Sequence, residues 1–214
     1  KLVEFENNKQ LELSPLNFDP EMPNDLAIKI ENLDFKYFGS TDSMFKNVNL
    51  DIKRNKHTII TGLNGTGKST LIGLMAGIYF ATNGSVTSFS NNLGYVGPVP
   101  LIIDSNLEEN LKYGNYKKIS DDRLFELINL FDLFNGEEAD LNMTVNNKSL
   151  SSGQMQKISF IRAILSEADI LFLDESTANL DMNTKRKIYS VLNELKITII
   201  NSTHSKEDFE YDHH

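Results

Sequence analysis

A glycine-rich stretch that ends in Lys68-Ser69 carries the clearest chemistry in the sequence. Residues 62–69 match the pattern G-x-x-x-x-G-K-[ST]. Glycine lets the backbone curl with its N–H groups facing inward, and a helix starting near Lys68 would point its positive dipole end at a bound anion. We expect Lys68 to reach the β- and γ-phosphates of a nucleotide and Ser69 to bind magnesium. The expected nucleotide contacts in this stretch are Gly62, Asn64, Gly65, Thr66, Gly67, Lys68, Ser69 and Thr70.

The segments on either side of this stretch supply the structural context that a phosphate-binding loop requires. Residues 58–61 are rich in β-branched side chains and predict a strand, while residues 71–76 predict an apolar helix. Without these flanks, the alternative would be a glycine-rich turn of no special function. With them, the stretch predicts nucleotide binding.

Two carboxylates follow directly on a second apolar run. Residues 170–173 read Ile-Leu-Phe-Leu, as expected of a strand buried on both faces of a parallel sheet. Asp174 and Glu175 would emerge at the carboxyl end of that strand, where α/β sheets bind their ligands. We expect Asp174 to hold Mg²⁺, directly or through water, and Glu175 to accept a proton from an attacking water. The alternative is a helix N-cap with acidic first-turn residues.

Two other polar positions have a comparable placement. His204 follows the last apolar run, residues 197–200, so its imidazole is expected to bond a γ-phosphate oxygen, although a histidine there is more often an ordinary loop residue. Residues 150–154, Leu-Ser-Ser-Gly-Gln, open a helix and predict a second anion-binding helix start. The phosphate-binding loop leads into only one of the two predicted helix starts, the one near Lys68, so it does not account for the second at residues 150–154.

The elements that must position these residues alternate between strands and helices, which indicates an α/β core. Strands are predicted around residues 28–35, 45–52, 58–61, 85–89, 93–96, 170–173 and 197–200, with turns at Asn55-Lys56 and Asn83-Gly84. Helical periodicity covers residues 106–135, with Ser120 as a cap, the segment after Ser151, and residues 183–196.

Composition excludes several classes of protein. The chain has 214 residues, a net charge of −9 and no cysteine. The negative charge disfavours nucleic acid as a partner, and the absence of cysteine excludes disulfides and thiolate metal sites. No apolar run approaches the roughly 20 residues of a membrane-spanning helix, so the chain itself is not expected to cross a bilayer.

The order of these motifs resembles that of the ATP-binding cassette (ABC) ATPase family. Residues 62–69, 150–154, 170–175 and His204 correspond to its Walker A, signature, Walker B and switch-histidine motifs. The resemblance implies a P-loop NTPase core with a mostly parallel sheet, a small antiparallel β subdomain and a helical subdomain, about residues 99–158, that carries the signature. It also implies that Tyr37 stacks on adenine and that Asp181 belongs to the family's D-loop.

The resemblance implies particular partners as well. In the family, two nucleotide-binding domains form a head-to-tail dimer, so Ser151, Gly153 and Gln154 would contact ATP bound to the other protomer of a homo- or heterodimer. Residues 1–25, broken by Pro15, Pro20 and Pro23, resemble the linker from an N-terminally fused transmembrane domain, and residues 26–214 would form a nucleotide-binding domain that ends early after His204. We therefore expect a Mg²⁺-dependent ATP hydrolase that drives export or lipid or oligosaccharide flipping at the cytoplasmic side of the cell membrane.

One departure from the family pattern leaves alternatives open. Pro98 stands where the family has a glutamine that touches magnesium and the attacking water, and proline has neither a side-chain amide nor an N–H. One alternative is a soluble, non-transport ABC-type ATPase that acts as a mechanical switch on a macromolecule. Another is a regulatory ATP-binding module with little turnover, which Pro98 favours.

Overall fold

A computed structural model describes residues 13–178, 180–203 and 211–212. The chain divides into two compact units. The first consists of the residues up to Arg54 together with Ser69–Asn91, and the second consists of Asn55–Lys68 together with the residues from Asn92 onward. The α/β class and both kinds of sheet expected from the sequence are confirmed.

The first unit contains a four-stranded sheet in the order β1-β5-β2-β3. Its strands are β1 (Asn17–Phe18), β2 (Leu26–Phe35), β3 (Phe45–Lys53) and β5 (Asn83–Ser88). Strand β2 is antiparallel to β3 and β5, whereas β1 is parallel to β5. Because β1 and the bridge from Ser14 to Ala81 tie residues 14–18 to this unit, part of the expected linker pairs with the sheet. The domain boundary after Asp25 stays a prediction.

A bulge in β2 explains the spacing of its apolar residues. Ile28, Ile30, Leu33 and Phe35 are all buried, as expected, although the interval from Ile30 to Leu33 breaks strict alternation. The registers with β3 and β5 shift in this region, and Asn32 has a φ of 49°. Gly84 lies opposite with a φ of 77°, and a Cβ there would sit 2.3 Å from the Asn32 carbonyl oxygen. The turn predicted at Asn83-Gly84 is therefore wrong, because both residues belong to β5 and the glycine admits the bulge.

The second unit contains a parallel sheet in the order β4-β10-β9-β6. Its strands are β4 (His57–Ile60), β6 (Leu93–Val96), β9 (Ile170–Asp174) and β10 (Thr198–Ser202). Strands β9 and β10 are central and buried along their whole length, which confirms the interpretation of their apolar runs. The turn predicted before β4 is also confirmed, because Asn55 adopts a φ of 54°.

The described part of the second unit also contains four helices and a short antiparallel pair of strands. The helices are α2 (Leu107–Lys112), α3 (Asp121–Leu130), α4 (Ser152–Leu165) and α5 (Met182–Glu194), and the pair is β7 (Ser105–Asn106) with β8 (Thr144–Val145). Ser120 and Ser151 cap α3 and α4, as their sequences predict. Helix α1 (Lys68–Met75) begins at Lys68, the next-to-last residue of the phosphate-binding stretch. No helix within the described ranges is long and apolar enough to cross a membrane.

Candidate nucleotide-binding site

The phosphate-binding stretch forms an exposed loop between β4 and helix α1. Gly65 and Gly67 have φ values of 79° and 97°, which other residues rarely adopt. The ammonium group of Lys68 is buried and donates hydrogen bonds to the carbonyl oxygens of Gly62 (3.1 Å) and Leu63 (3.2 Å). The loop thus curls around Lys68, and the outer surface of the loop stays open to a ligand.

Asp174 lies at the carboxyl end of β9 among hydroxyl groups from both neighbouring strands. Its side chain is buried, and Ser202 Oγ donates to its Oδ1 over 2.7 Å while Tyr95 Oη donates to its Oδ2 over 3.0 Å. The strand register explains this grouping, because Ser202 is paired with Asp174 and Tyr95 with Phe172, two residues earlier on the same face. The sequence predicted Asp174 but gave no reason to select Tyr95 or Ser202.

Glu175 has an unusual backbone and faces the loop lysine. Its φ of 47° is left-handed, and its N–H donates to the carbonyl and hydroxyl oxygens of Ser202. Its Oε1 lies 3.4 Å from Lys68 Nζ, with exposed side-chain fractions of 28% and 5% respectively. Such a conformation in a non-glycine residue costs free energy, and it occurs at functional sites as well as in turns. The structure therefore brings together Lys68 and Glu175, which are far apart in the sequence.

The helix start at residues 150–154 has two exposed serines, Ser151 and Ser152, and is capped by its own side chains, while Leu150 is buried. Ser151 Oγ accepts from the Gln154 N–H, and Gln154 Oε1 accepts from the Ser151 N–H over 2.8 Å, which is a capping box. Gly153 has room for a Cβ atom, whose nearest neighbours would be 3.9 Å away. This end of α4 presents a helix dipole to solvent, as an anion-binding surface requires.

Asp181 serves as the N-cap of α5. Its carboxylate accepts hydrogen bonds from the N–H groups of Asn183 and Thr184 and from the Thr184 hydroxyl. The hydroxyl bond is the main reason why the pKa of Asp181 lies below its ordinary value. This capping function is structural, and the expected role of Asp181 near a nucleotide stays a prediction.

Tyr37 belongs to an aromatic cluster in the first unit. Its hydroxyl shares a 2.5 Å hydrogen bond with Thr70 of helix α1, and its ring meets the edges of Phe35 and Tyr79 at centroid distances of 5.0 and 5.8 Å. Tyr79 was not predicted from the sequence as part of this cluster, although Gly73 indicated that a side chain packs closely against helix α1. A glycine inside a helix is costly, and here a Cβ would come within 2.5 Å of the Tyr79 ring.

Pro98 follows β6 beside a groove of about 390 Å³ that includes Tyr95, Val99, Leu101, Tyr113 and Arg162. The Arg162 guanidinium donates to the carbonyl oxygens of Asn110 and Leu101. Burial lowers the pKa of Arg162 to about 10, so the guanidinium remains charged at neutral pH. Gln156 Nε2 donates to the Gly97 carbonyl oxygen. A side chain from α4 therefore contacts the loop that contains Pro98.

The donor set is compatible with magnesium. No group of three or more His, Cys, Asp or Glu side chains suited to a metal occurs within residues 13–178, 180–203 and 211–212. Magnesium bound with a nucleotide needs no such cage, because one or two protein oxygens, phosphates and water suffice. The Asp174 carboxylate, at the carboxyl end of β9, offers an oxygen ligand of this kind, and the role of Ser69 as a ligand stays a prediction. His204 lies outside the described residues.

Comparisons with known proteins agree with this chemistry. The family model described as "ABC transporter" matches residues 45–178. The chain is 31% identical to the Lactococcin-A transport/processing ATP-binding protein LcnC of Lactococcus lactis subsp. lactis, over 99% of this chain and 32% of that protein. It is 30% identical to the ATP-dependent lipid A-core flippase of Nitrosococcus oceani, over 79% of this chain and 31% of that protein.

A third relative is the glutathione/L-cysteine transport system ATP-binding/permease protein CydC of Haemophilus influenzae. It is 28% identical over 89% of this chain and 34% of that protein. The chain thus spans about a third of the length of these relatives.

Proposed function

This chain belongs to the ABC transporter family, and we propose that it binds and hydrolyses ATP to drive export or flipping by a membrane transporter. The observation that carries the proposal is the placement of Glu175 3.4 Å from the buried Lys68. A phosphate-binding lysine and a candidate base share one location at the carboxyl end of the parallel sheet.

Each group that we assign to this function has a role that follows from its chemistry. The loop N–H groups and Lys68 bind the phosphates, because both supply donors where negative charge accumulates. Glu175 orients the attacking water and accepts its proton. Asp174 and Ser69 hold magnesium, which supplies positive charge that neutralises the phosphate oxygens. His204 bonds the γ-phosphate, and Tyr37 stacks on the adenine ring.

The exposed start of α4 completes the site of a second nucleotide-binding domain. Ser151, Gly153 and Gln154 contact ATP bound to the partner, and the D-loop around Asp181 lies at the same interface. The capping box supports this role, because it fixes the geometry of the helix start before any ligand binds. ATP then joins the two domains, and hydrolysis releases them.

The remaining length of the relatives supports a membrane partner. The printed names of the relatives describe transport or flipping, and the chain matches about a third of each. We place a transmembrane domain on the N-terminal side of this chain and the chain itself on the cytoplasmic face of the membrane.

Complementation between two inactive variants tests the shared site. Gly153→Asp places a carboxylate where the partner's phosphates would bind, and the Cβ atom that it adds would lie 3.9 Å from its nearest neighbours. In the full-length protein, this variant and Lys68→Ala should each lack Mg²⁺-dependent phosphate release. Mixing them should restore release, because a mixed dimer contains one site with both Lys68 and Gly153. No recovery, with an active parent protein, would contradict a site shared between two copies.

A measurement on the parent protein separates the alternatives. If the parent binds ATP but releases no phosphate with Mg²⁺, it is a regulatory module, as Pro98 would favour. If its phosphate release is unaffected by reconstitution into lipid and by transport inhibitors, the soluble switch is favoured instead.

A further inference from the structure

Tyr95 connects the strand before the Pro98 loop to the carboxylate of Asp174. Its hydroxyl donates to Asp174 Oδ2 over 3.0 Å, and its ring lines the groove on the other side. Tyr95 is two-fifths exposed, whereas Asp174 is almost fully buried. One side chain therefore reaches from the surface of the second unit to the carboxylate that we assign to magnesium.

We propose that Tyr95 is a positioning residue for Asp174, and this inference rests on the proposed function. The hydroxyls of Tyr95 and Ser202 bind different oxygens of the carboxylate, so together they fix its rotation about the Cβ–Cγ bond. Ligating carboxylates generally depend on such hydrogen bonds, and loss of one typically costs about 10-fold to 100-fold in metal affinity.

The backbone of this segment supports the same role. Gly97 lies on the same face of the chain as Tyr95, and a Cβ at Gly97 would approach the Tyr95 ring to 3.1 Å. The missing side chain leaves room for the ring to lie over the loop. Pro98 offers no amide to a metal site, so Tyr95 is the residue of this segment that contacts the Walker B carboxylate in the described structure.

Tyr95→Phe in the full-length protein tests this inference, because it removes the hydroxyl and keeps the ring. Tyr116→Phe is the matched control, since Tyr116 is fully exposed and distant from these contacts in the sequence. Mn²⁺ serves as the probe, and its binding in the presence of a non-hydrolysable ATP analogue is followed by electron paramagnetic resonance. Binding of the same analogue in EDTA is measured by fluorescence.

Tyr95→Phe should weaken Mn²⁺ binding about 10-fold, while nucleotide binding in EDTA stays at the parent value. Tyr116→Phe should change neither quantity. Unchanged or tighter Mn²⁺ binding in Tyr95→Phe would overturn the inference, because the hydroxyl would then be neutral or compete with the metal. If the parent protein itself binds neither nucleotide nor Mn²⁺, the proposed function is contradicted. If the parent binds both and only the result for Tyr95→Phe is unexpected, the inference about Tyr95 alone is overturned, so the two failures are distinguishable.

Discussion

Replacement of Glu175 by glutamine should separate ATP binding from hydrolysis. The Glu175 carboxylate is 3.4 Å from Lys68 Nζ, so it competes with an incoming phosphate for the same ammonium group. Coulomb's law gives about 1 kcal/mol for this distance in water and about 5 kcal/mol at an effective dielectric constant of 20. The Glu175 side chain is 28% exposed, which favours the lower part of that range.

Glu175→Gln removes this competition and leaves Lys68 bonded to two carbonyl oxygens. ATP affinity should therefore rise by at least about 1 kcal/mol, which is roughly 5-fold. Loss of the base should lower Mg²⁺-dependent phosphate release by about 10²-fold to 10⁴-fold. Affinity is measured in EDTA with a fluorescent ATP analogue, so hydrolysis does not contribute, and release is measured separately with Mg²⁺.

Glu126→Gln is the matched control, because Glu126 pairs with Arg123 on the exposed face of α3. It should alter neither affinity nor phosphate release. If Glu175→Gln bound ATP no more tightly than the parent, the competition inferred from the Lys68 contact would be refuted. If its turnover were unchanged, Glu175 would not be the base.

Substitutions at Lys68, at Tyr37 and at Phe172, the last with Phe38 as its control, test separate parts of the structure. Lys68→Ala should weaken ATP binding by about 2 kcal/mol or more, since charged hydrogen bonds to phosphate are lost, and affinity equal to the parent's would contradict the loop assignment. Tyr37→Ala should cost about 1–3 kcal/mol of nucleotide affinity through lost stacking, whereas Tyr37→Phe should retain most of that affinity. Equal losses in the two variants would indicate that the hydrogen bond between Tyr37 and Thr70 matters instead of stacking. Phe172→Ala, in the centre of the buried β9, should lower the free energy of unfolding by about 3–5 kcal/mol in urea titrations. The exposed Phe38→Ala should leave that free energy within about 0.5 kcal/mol, and equal effects of the two would contradict the assigned core.

Features that depend only on residues nearby in the sequence could be predicted from the sequence. The sequence predicts the glycine-rich loop, the caps at Ser120 and Ser151 and the turn at Asn55, because each arises within a few residues of chain. The alternation in β2 also predicted its buried side correctly. Its bulge was missed, since a shift in register depends on the strands that pair with it.

The sequence by itself determined the glycine-rich loop between a strand and a helix, the buried strand with its two carboxylates and the capped helix start that resembles a signature motif. Only the tertiary structure decided that Tyr95 and Ser202 hold Asp174 from positions 79 and 28 residues away, and that Glu175 faces Lys68. These contacts have no local signal, because they are created by the register of parallel strands, which is set by packing of the whole sheet.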